Sequence, residues 1–196
     1  MAEILEFEPP VNPQAIAFFD GQNIYRAVLK RFGCTHPDYD PKALAQEICT
    51  AKGWVLKETR FYTGVPLITD DPSWHHFWRA KLLQMQLDLI YVFSKPLRGG
   101  REKGIDVRIA IDIVKMARRR LYDVALIFSE DQDFAEVAEE IRAIAQEQAR
   151  WIKAASAFPC PVGVSVRGID KTDWIKIDKP TYDLCIDPKD YRPTTP

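Results

Sequence analysis

Two runs of consecutive apolar residues stand out along the chain, and acidic residues follow each of them. Ala15–Phe19 ends at Asp20, and Val124–Phe128 leads into the segment 129–133. Unbroken apolar runs of this length are typical of strands that are buried on both faces of a parallel sheet. The pattern therefore predicts two neighbouring central strands whose carboxyl ends both carry aspartates.

Elsewhere, apolar residues recur every three or four positions, which is the spacing of amphipathic helices. Helices are predicted after Asp20 and Asp40 and at 73–89, 105–121 and 134–151, with further strands at 59–63, 89–94, 161–166 and 174–177. Strands that alternate with helices imply right-handed crossovers and a mostly parallel sheet with helices on both faces. The predicted class is therefore α/β.

The length of 196 residues suits one α/β domain, and 46% apolar residues are enough for a proper core. We predict a flexible lead-in at 1–13, a single domain at 14–186 and a proline-rich tail at 187–196. The formal net charge of -1 argues against a generally basic nucleic-acid coat protein, although it leaves room for a local basic patch.

The four cysteines lack zinc-site or CxxC spacing, so buried, reduced thiols are expected. The first ten residues are acidic and lack the apolar centre of a signal peptide. No stretch approaches the roughly 20 apolar residues that a membrane span needs. These features predict a cytoplasmic protein without a membrane partner.

Four aspartates are expected to converge at one edge of the sheet. Asp20 follows the first central strand, Asp131 and Asp133 follow the second, and Asp106 stands at the start of a helix. Crowded carboxylates need protonation, basic partners or a divalent cation, and their hard oxygen atoms suit Mg²⁺ or Mn²⁺. A metal held in this way would favour hydrolysis of a phosphodiester by an activated water.

Each of these aspartates also has an ordinary structural interpretation. Asp20, Asp131 and Asp133 suit turns and helix N-caps, and negative charge is favourable in the first turn occupied by Asp106. The joint placement of all four at one sheet edge is what favours the functional interpretation.

Asp112 is a weaker candidate. It lies six residues beyond Asp106, which is about 120° around a helix, so both cannot point straight at one ion. A solvated surface position is expected. The alternative is a supporting role behind the metal ligands, with Arg108 or Lys115 holding the carboxylate.

Three segments resemble the motifs of the NYN domains, a PIN-like group that includes LabA-like bacterial proteins. They are Phe18–Tyr25, Lys103–Val107 and Phe128–Phe134, in that order. The resemblance covers about residues 15–166 and implies a three-layer α/β/α PIN-like sandwich with Mg²⁺- or Mn²⁺-dependent ribonuclease activity. It assigns metal binding and catalysis to Asp20, Asp106, Asp131 and Asp133, and it matches Asp112 to a further acidic position. By the same resemblance, Asn23 would orient Asp20 or a metal-bound water in catalysis, and Ser129 would support the acidic turn.

Two departures from the family pattern stand out. Glu130 replaces the usual glycine of the third motif, which adds a carboxylate or alters the turn. In addition, residues 146–148 contain no glycine where many relatives turn sharply into the next strand.

Basic residues for RNA phosphates are clustered just before Asp106: Lys95, Arg98, Arg101 and Lys103. Lysine and arginine there are suited to phosphates on either side of the cut, and a solvated surface loop is the alternative. The aromatic residues Trp74, Phe77 and Trp78 have helical spacing and are expected in the core rather than stacked on bases.

Two other functions of α/β domains do not fit the residues after the first strand. A haloacid-dehalogenase-type phosphatase needs a second aspartate where this chain has Gln22, and a dinucleotide-binding domain needs GxGxxG, which this segment lacks. A non-catalytic RNA- or protein-binding module with a vestigial metal site stays open. The expected partner is single-stranded or structured RNA, and exposed aromatic residues near the tail would permit a homodimer.

Overall fold

The computed structural model describes residues 7–97 and 104–193. The predicted lead-in and tail therefore fall partly outside the described residues. The strands are β1 (Gln14–Asp20), β2 (Val55–Val65), β3 (Tyr91–Pro96), β4 (Val124–Phe128), β5 (Lys153–Pro159) and β6 (Asp173–Ile177). The helices are α1 (Gly21–Phe32), α2 (Pro41–Lys52), α3 (Pro72–Leu87), α4 (Ile105–Arg118), α5 (Phe134–Glu147) and α6 (Lys179–Asp183).

The strands form one parallel sheet in the order β3-β2-β1-β4-β5-β6. The two apolar runs, β1 and β4, are neighbours at its centre, as predicted. β2 and β3 are added in sequence on one side of β1, and β5 and β6 are added in sequence on the far side of β4. The strand order therefore reverses between β1 and β4, which is where ligands bind in folds of this kind.

Helices cover both faces of the sheet, and each face has its own hydrophobic cluster. Alternate residues of β1 point to opposite faces, so Phe19 packs among the residues of α1, α2 and α3, whereas Phe18 packs against α4 and α5. The result is the predicted three-layer α/β/α sandwich.

Local signals fix the helix ends. Asp40 caps α2 by accepting hydrogen bonds from Lys42 N at 2.8 Å and Ala43 N at 3.2 Å. Gly53 ends the same helix in the left-handed region at φ 69°, where glycine avoids the steric clash of a β-carbon. This helix starts and stops where the sequence predicts.

The predicted strand at 161–166 is wrong. That segment is a loop with Gly163 at φ 80°, and Val162 is 87% exposed. The fifth strand lies earlier, at Lys153–Pro159, where it pairs with both β4 and β6. Alternating valines favour a strand, but within the described part of the chain no strand pairs with the 161–166 segment.

The helix predicted at 134–151 ends earlier, at Glu147. The reversal into β5 is made without glycine, because Ala149 adopts φ 47°, a conformation that L residues with a β-carbon rarely adopt. The predicted ends of the helix at 105–121 and of the strand at 89–94 also differ by two or three residues.

No helix within the described ranges has the length and apolar character needed to cross a membrane. All four cysteines are free, with Cys49, Cys160 and Cys185 buried and Cys34 partly buried, in agreement with the expectation of reduced thiols. Near the chain end, Tyr182 and Tyr191 are buried, so these two aromatic side chains are not exposed for a dimer contact.

Candidate functional site

Asp20 is the last residue of β1 and the N-cap of α1, because its carboxylate accepts a hydrogen bond from Asn23 N at 3.1 Å. Only 8% of the residue is exposed. Within residues 7–97 and 104–193, Asp20 forms no salt bridge. A carboxylate in this position satisfies one helix amide but carries a charge that has little access to water.

The pKa of Asp20 is raised from 3.8 to about 6. Burial is the main cause, and the negative charges of Asp131 and Asp106 add to it, whereas the Asn23 hydrogen bond and Arg26 act in the opposite direction. The negative charges of Asp131 and Asp106 thus act on Asp20 in the same direction as burial. The convergence of all four aspartates on one ion stays a prediction.

The turn after β4 is held by its own side chains. The buried Ser129 hydroxyl accepts a hydrogen bond from Asp131 N at 3.1 Å, and Asp131 Oδ1 accepts one from Asp133 N at 3.1 Å. Asn23 Oδ1 accepts a hydrogen bond from Glu130 N at 3.0 Å. Asn23 thus binds the end of β1 through its backbone and the end of β4 through its side chain.

Glu130, the departure from the usual glycine, points away from this turn. Its carboxylate forms an ion pair with Arg31 of α1, which also donates a hydrogen bond to Pro159 O at 2.8 Å. The added carboxylate is therefore neutralised by α1 and does not add to the unpaired negative charge at the end of β1.

Asp106 and Asp133 are both exposed. Asp106 lies in the first turn of α4, and Asp133 is the N-cap residue of α5, although its side chain makes no capping hydrogen bond. Among the described residues, no group of three or more His, Cys, Asp or Glu side chains is arranged to hold a metal ion. The four-ligand set stays a prediction.

Asp112 is buried, with 6% of the residue exposed, so the expectation of a solvated surface position is wrong. Its Oδ2 accepts hydrogen bonds from the Tyr62 hydroxyl at 2.9 Å, from Arg108 Nε at 3.1 Å and from Arg60 Nη2 at 3.4 Å. Arg108 is one of the two predicted partners. The carboxylate is enclosed because α4 turns this face toward β2 and β3.

Tyr62 connects the two buried aspartates. It lies directly opposite Asp20 in the pairing of β1 with β2, and its hydroxyl reaches Asp112. Arg60 donates hydrogen bonds to the Tyr62 hydroxyl and to Asp112, and its guanidinium lies 3.7 Å from the centre of the Tyr91 ring. Because Arg60 and Tyr62 are about 50 residues from Asp112 in the chain, no sequence motif could have indicated them.

Tyr39 is another residue that the sequence did not single out. Its side chain is fully buried, and its hydroxyl has no hydrogen-bond partner among the described residues. The negative charge of Asp20 contributes to a raised Tyr39 pKa, after burial. The segment Asp38-Tyr39-Asp40 matches no motif, so its proximity to Asp20 is visible only in the folded chain.

The predicted phosphate-binding loop is described only at its beginning. Lys95 is the second-last residue of β3 and is exposed, with its Nζ 5.7 Å from the Phe93 ring centre. Arg98, Arg101 and Lys103 lie outside the described residues. The expectation that Trp74, Phe77 and Trp78 pack in the core is confirmed, because Phe77 and Trp78 are buried there and Trp74 packs against them.

The chain matches the family model of the NYN domain over residues 15–146. No curated protein matches it. Among solved structures, it is similar to a crystal structure of a protein of unknown function from Vibrio parahaemolyticus RIMD 2210633, with a TM-score of 0.59 and 19% sequence identity over 88% of this chain and 98% of that chain. That likeness concerns the fold. The family match covers well over half of the chain and includes the aspartate turns at the ends of β1 and β4, so this chain belongs to the NYN domain family and has a PIN-like α/β/α fold.

Proposed function

We propose that the protein is a metal-dependent ribonuclease that hydrolyses RNA phosphodiester bonds with an aspartate-bound Mg²⁺ or Mn²⁺ and an activated water. One observation carries the proposal. Asp20 is buried at the point where the strand order reverses, its pKa is raised to about 6, and no described residue forms an ion pair with it. Membership of a nuclease-like family supports the same chemistry.

A divalent cation fits the chemistry of these side chains. A buried carboxylate beside the charges of Asp131 and Asp106 is stabilised by an added positive charge. Mg²⁺ is commonly held by one or two carboxylates together with waters and substrate phosphates, so three preformed protein ligands are not required. When bound, the ion would lower the pKa of a water and neutralise charge on the phosphodiester.

The surrounding residues would orient the ligands. Asp20, Asp106, Asp131 and Asp133 would hold the ion, and the charges of Asp131 and Asp106 already act on Asp20. Asn23 would keep the two acidic turns together, since it bonds to Asp20 and to the Glu130 amide. Ser129 would fix the turn that presents Asp131, and Asp112 would support the neighbouring strand through Tyr62.

The proposed location is the cytoplasm, where the four free cysteines would stay reduced. The proposed partner is RNA, and a homodimer stays a prediction.

The test is cleavage of single-stranded RNA by the purified protein in the presence of Mn²⁺, with Asp20→Asn and Asp131→Asn as variants. Each variant is expected to lower the rate about 100-fold or more, as when a group that stabilises transition-state charge is removed. Glu140→Gln is the matched control, because Glu140 is a partly exposed carboxylate of α5 that pairs with Arg118 of α4. Equal residual cleavage by the wild type and both aspartate variants would exclude the activity for this substrate.

A non-catalytic RNA- or protein-binding module is the second candidate. The observation that favours it is the lack of a group of three or more metal-ligating side chains among the described residues. In that case, RNA would bind with the same affinity to wild type and Asp20→Asn in the presence of a chelator, and Mn²⁺ would give no cleavage.

A further inference from the structure

A groove of about 820 Å³ lies between α3, the loop that precedes it and the edge strand β3. Its apolar wall includes Ile68, Leu83 and Val92, of which Ile68 and Leu83 are 50% and 59% exposed. Exposed aliphatic side chains around a groove of this size are more than the isolated apolar residues found on any surface. This region, named here the α3–β3 groove, is separate from the carboxylates at the end of β1.

The charge of the α3–β3 groove differs from that of the whole chain. The protein has 28 acidic and 27 basic residues, yet the described residues that line the groove include Arg79, Lys95, His75 and His76 and no acidic residue. Within the described part of the chain, neither Arg79 nor Lys95 forms a salt bridge. Their charges are therefore available to an anionic ligand.

The groove-facing side chains of α3 form one stripe. His76, Arg79 and Leu83 are three and four residues apart, so they share a helix face. His75 is held by a 2.8 Å contact between its Nδ1 and Pro66 O, and its ring is at 85° to that of His76. The stripe therefore places a cation between an imidazole ring and an aliphatic side chain.

The groove continues toward the acidic edge of the sheet. Lys95 Nζ lies 3.6 Å from the position that a β-carbon would occupy at Gly104. Gly104 is the N-cap of α4, and Asp106 is in its first turn. A ligand that reaches from Arg79 to Lys95 would thus arrive beside one of the carboxylates that affects Asp20.

We propose that the α3–β3 groove binds single-stranded RNA, with phosphates on Arg79 and Lys95 and an unstacked base between His76 and the apolar wall. This inference rests on the proposed ribonuclease function. Single strands are favoured over duplexes because their bases can leave the stack and contact histidine or apolar side chains. An acidic protein segment would contact only the cationic side chains of the groove, and an apolar segment would contact only its apolar wall. Single-stranded RNA would contact both, through its phosphates and its bases.

The test measures binding of a fluorescein-labelled single-stranded oligoribonucleotide by anisotropy, in chelator so that no cleavage occurs. Arg79→Gln with Lys95→Gln is expected to weaken binding about tenfold or more, because two phosphates would no longer be neutralised. The slope of log affinity against log salt should fall by about 0.7 for each phosphate that loses its cationic partner. His76→Ala should weaken binding to the single strand but not to a blunt RNA duplex.

Arg119→Gln is the matched control, because Arg119 is exposed at the opposite end of α4 and should leave affinity and salt slope unchanged. In cleavage assays, the double variant should raise KM and retain kcat. Wild-type affinity and slope in the double variant would overturn the inference, and continued loss of cleavage in Asp131→Asn would then leave the ribonuclease proposal intact. A dimer that dissociates in Leu83→Glu, with RNA binding unchanged, would assign the groove to a second copy of the chain.

Discussion

Asp20 and Asp112 are buried to nearly the same degree, at 8% and 6% exposure, but their surroundings differ. Asp112 accepts hydrogen bonds from two arginines and a tyrosine, whereas Asp20 accepts one from a backbone amide. Burial raises the pKa of Asp20, and the charges of Asp131 and Asp106 raise it further. A buried charge is tolerated when the fold neutralises it. The comparison therefore separates a carboxylate that the fold neutralises from one that has no ion-pair partner among the described residues.

The largest effect is expected at the paired aspartate. Asp112→Asn removes the negative charge but leaves Arg60, of which 12% of the side chain is exposed, near a neutral amide. Removing one partner of a buried ion pair costs about 3–5 kcal/mol. Because Arg60 keeps an ion pair with Glu58 at 3.2 Å and Arg108 is partly exposed, the loss should lie near the lower end. The free energy of unfolding from urea titration measures it. The control Glu140→Gln, at a partly exposed ion pair with Arg118, should change stability by about 1 kcal/mol or less, and an equal loss in both variants would contradict the assigned role.

The opposite sign is expected at the unpaired aspartate. Because the Asp20 pKa is raised from 3.8 to about 6, the folded state holds this proton more tightly than the unfolded state does. The resulting penalty is absent below pH 4, develops between pH 4 and 6, and reaches about 2–3 kcal/mol at neutral pH. Without added metal, Asp20→Asn should therefore have a higher melting temperature than wild type at pH 7.5.

The stability difference between wild type and Asp20→Asn should shrink as the pH falls from 6 to 4, which thermal unfolding at several pH values would show. Loss of stability in Asp20→Asn at pH 7.5 would mean that the carboxylate is a structural cap only.

A smaller effect is expected from metal. If Mn²⁺ binds at Asp20, a concentration ten times the Kd should stabilise the wild type by about 1.4 kcal/mol, because the ion binds the folded state. Asp112→Asn should keep this increase in melting temperature, and Asp20→Asn should lose it. The same increase in all three proteins would place the ion elsewhere and would remove the functional difference between the two aspartates.

The sequence was sufficient for the centre of the fold. The runs Ala15–Phe19 and Val124–Phe128 predicted two adjacent buried strands, and the sheet has them side by side. Acidic residues follow both strands, and because the carboxyl ends of parallel strands share one sheet edge, they predict a metal site there that stays a prediction. Both inferences depend on patterns within short segments.

The errors arose where long-range packing decides the outcome. The strand Lys153–Pro159 contains three alanines and a serine, which have little intrinsic preference for strands, and it forms because β4 and β6 bond to it on both sides. The alternating valines at 162–166 have higher strand preference but no partner. The environment of Asp112 was equally hidden, because Arg60 and Tyr62 reach it from another strand.

The placement of Lys81 has a consequence for any shortened form of the protein. Its ammonium group, 1% exposed, donates hydrogen bonds to Tyr39 O at 2.9 Å and to Asp187 Oδ2 at 3.1 Å, and burial lowers its pKa. A fragment that stops at residue 146, where the family match ends, would lack Asp187, the ion-pair partner of Lys81. It would also lack β5, which forms hydrogen bonds with one side of β4. Residues beyond the family match thus complete both the ion pair of Lys81 and the hydrogen bonding of β4, and we expect a fragment that ends before Asp187 to lose stability.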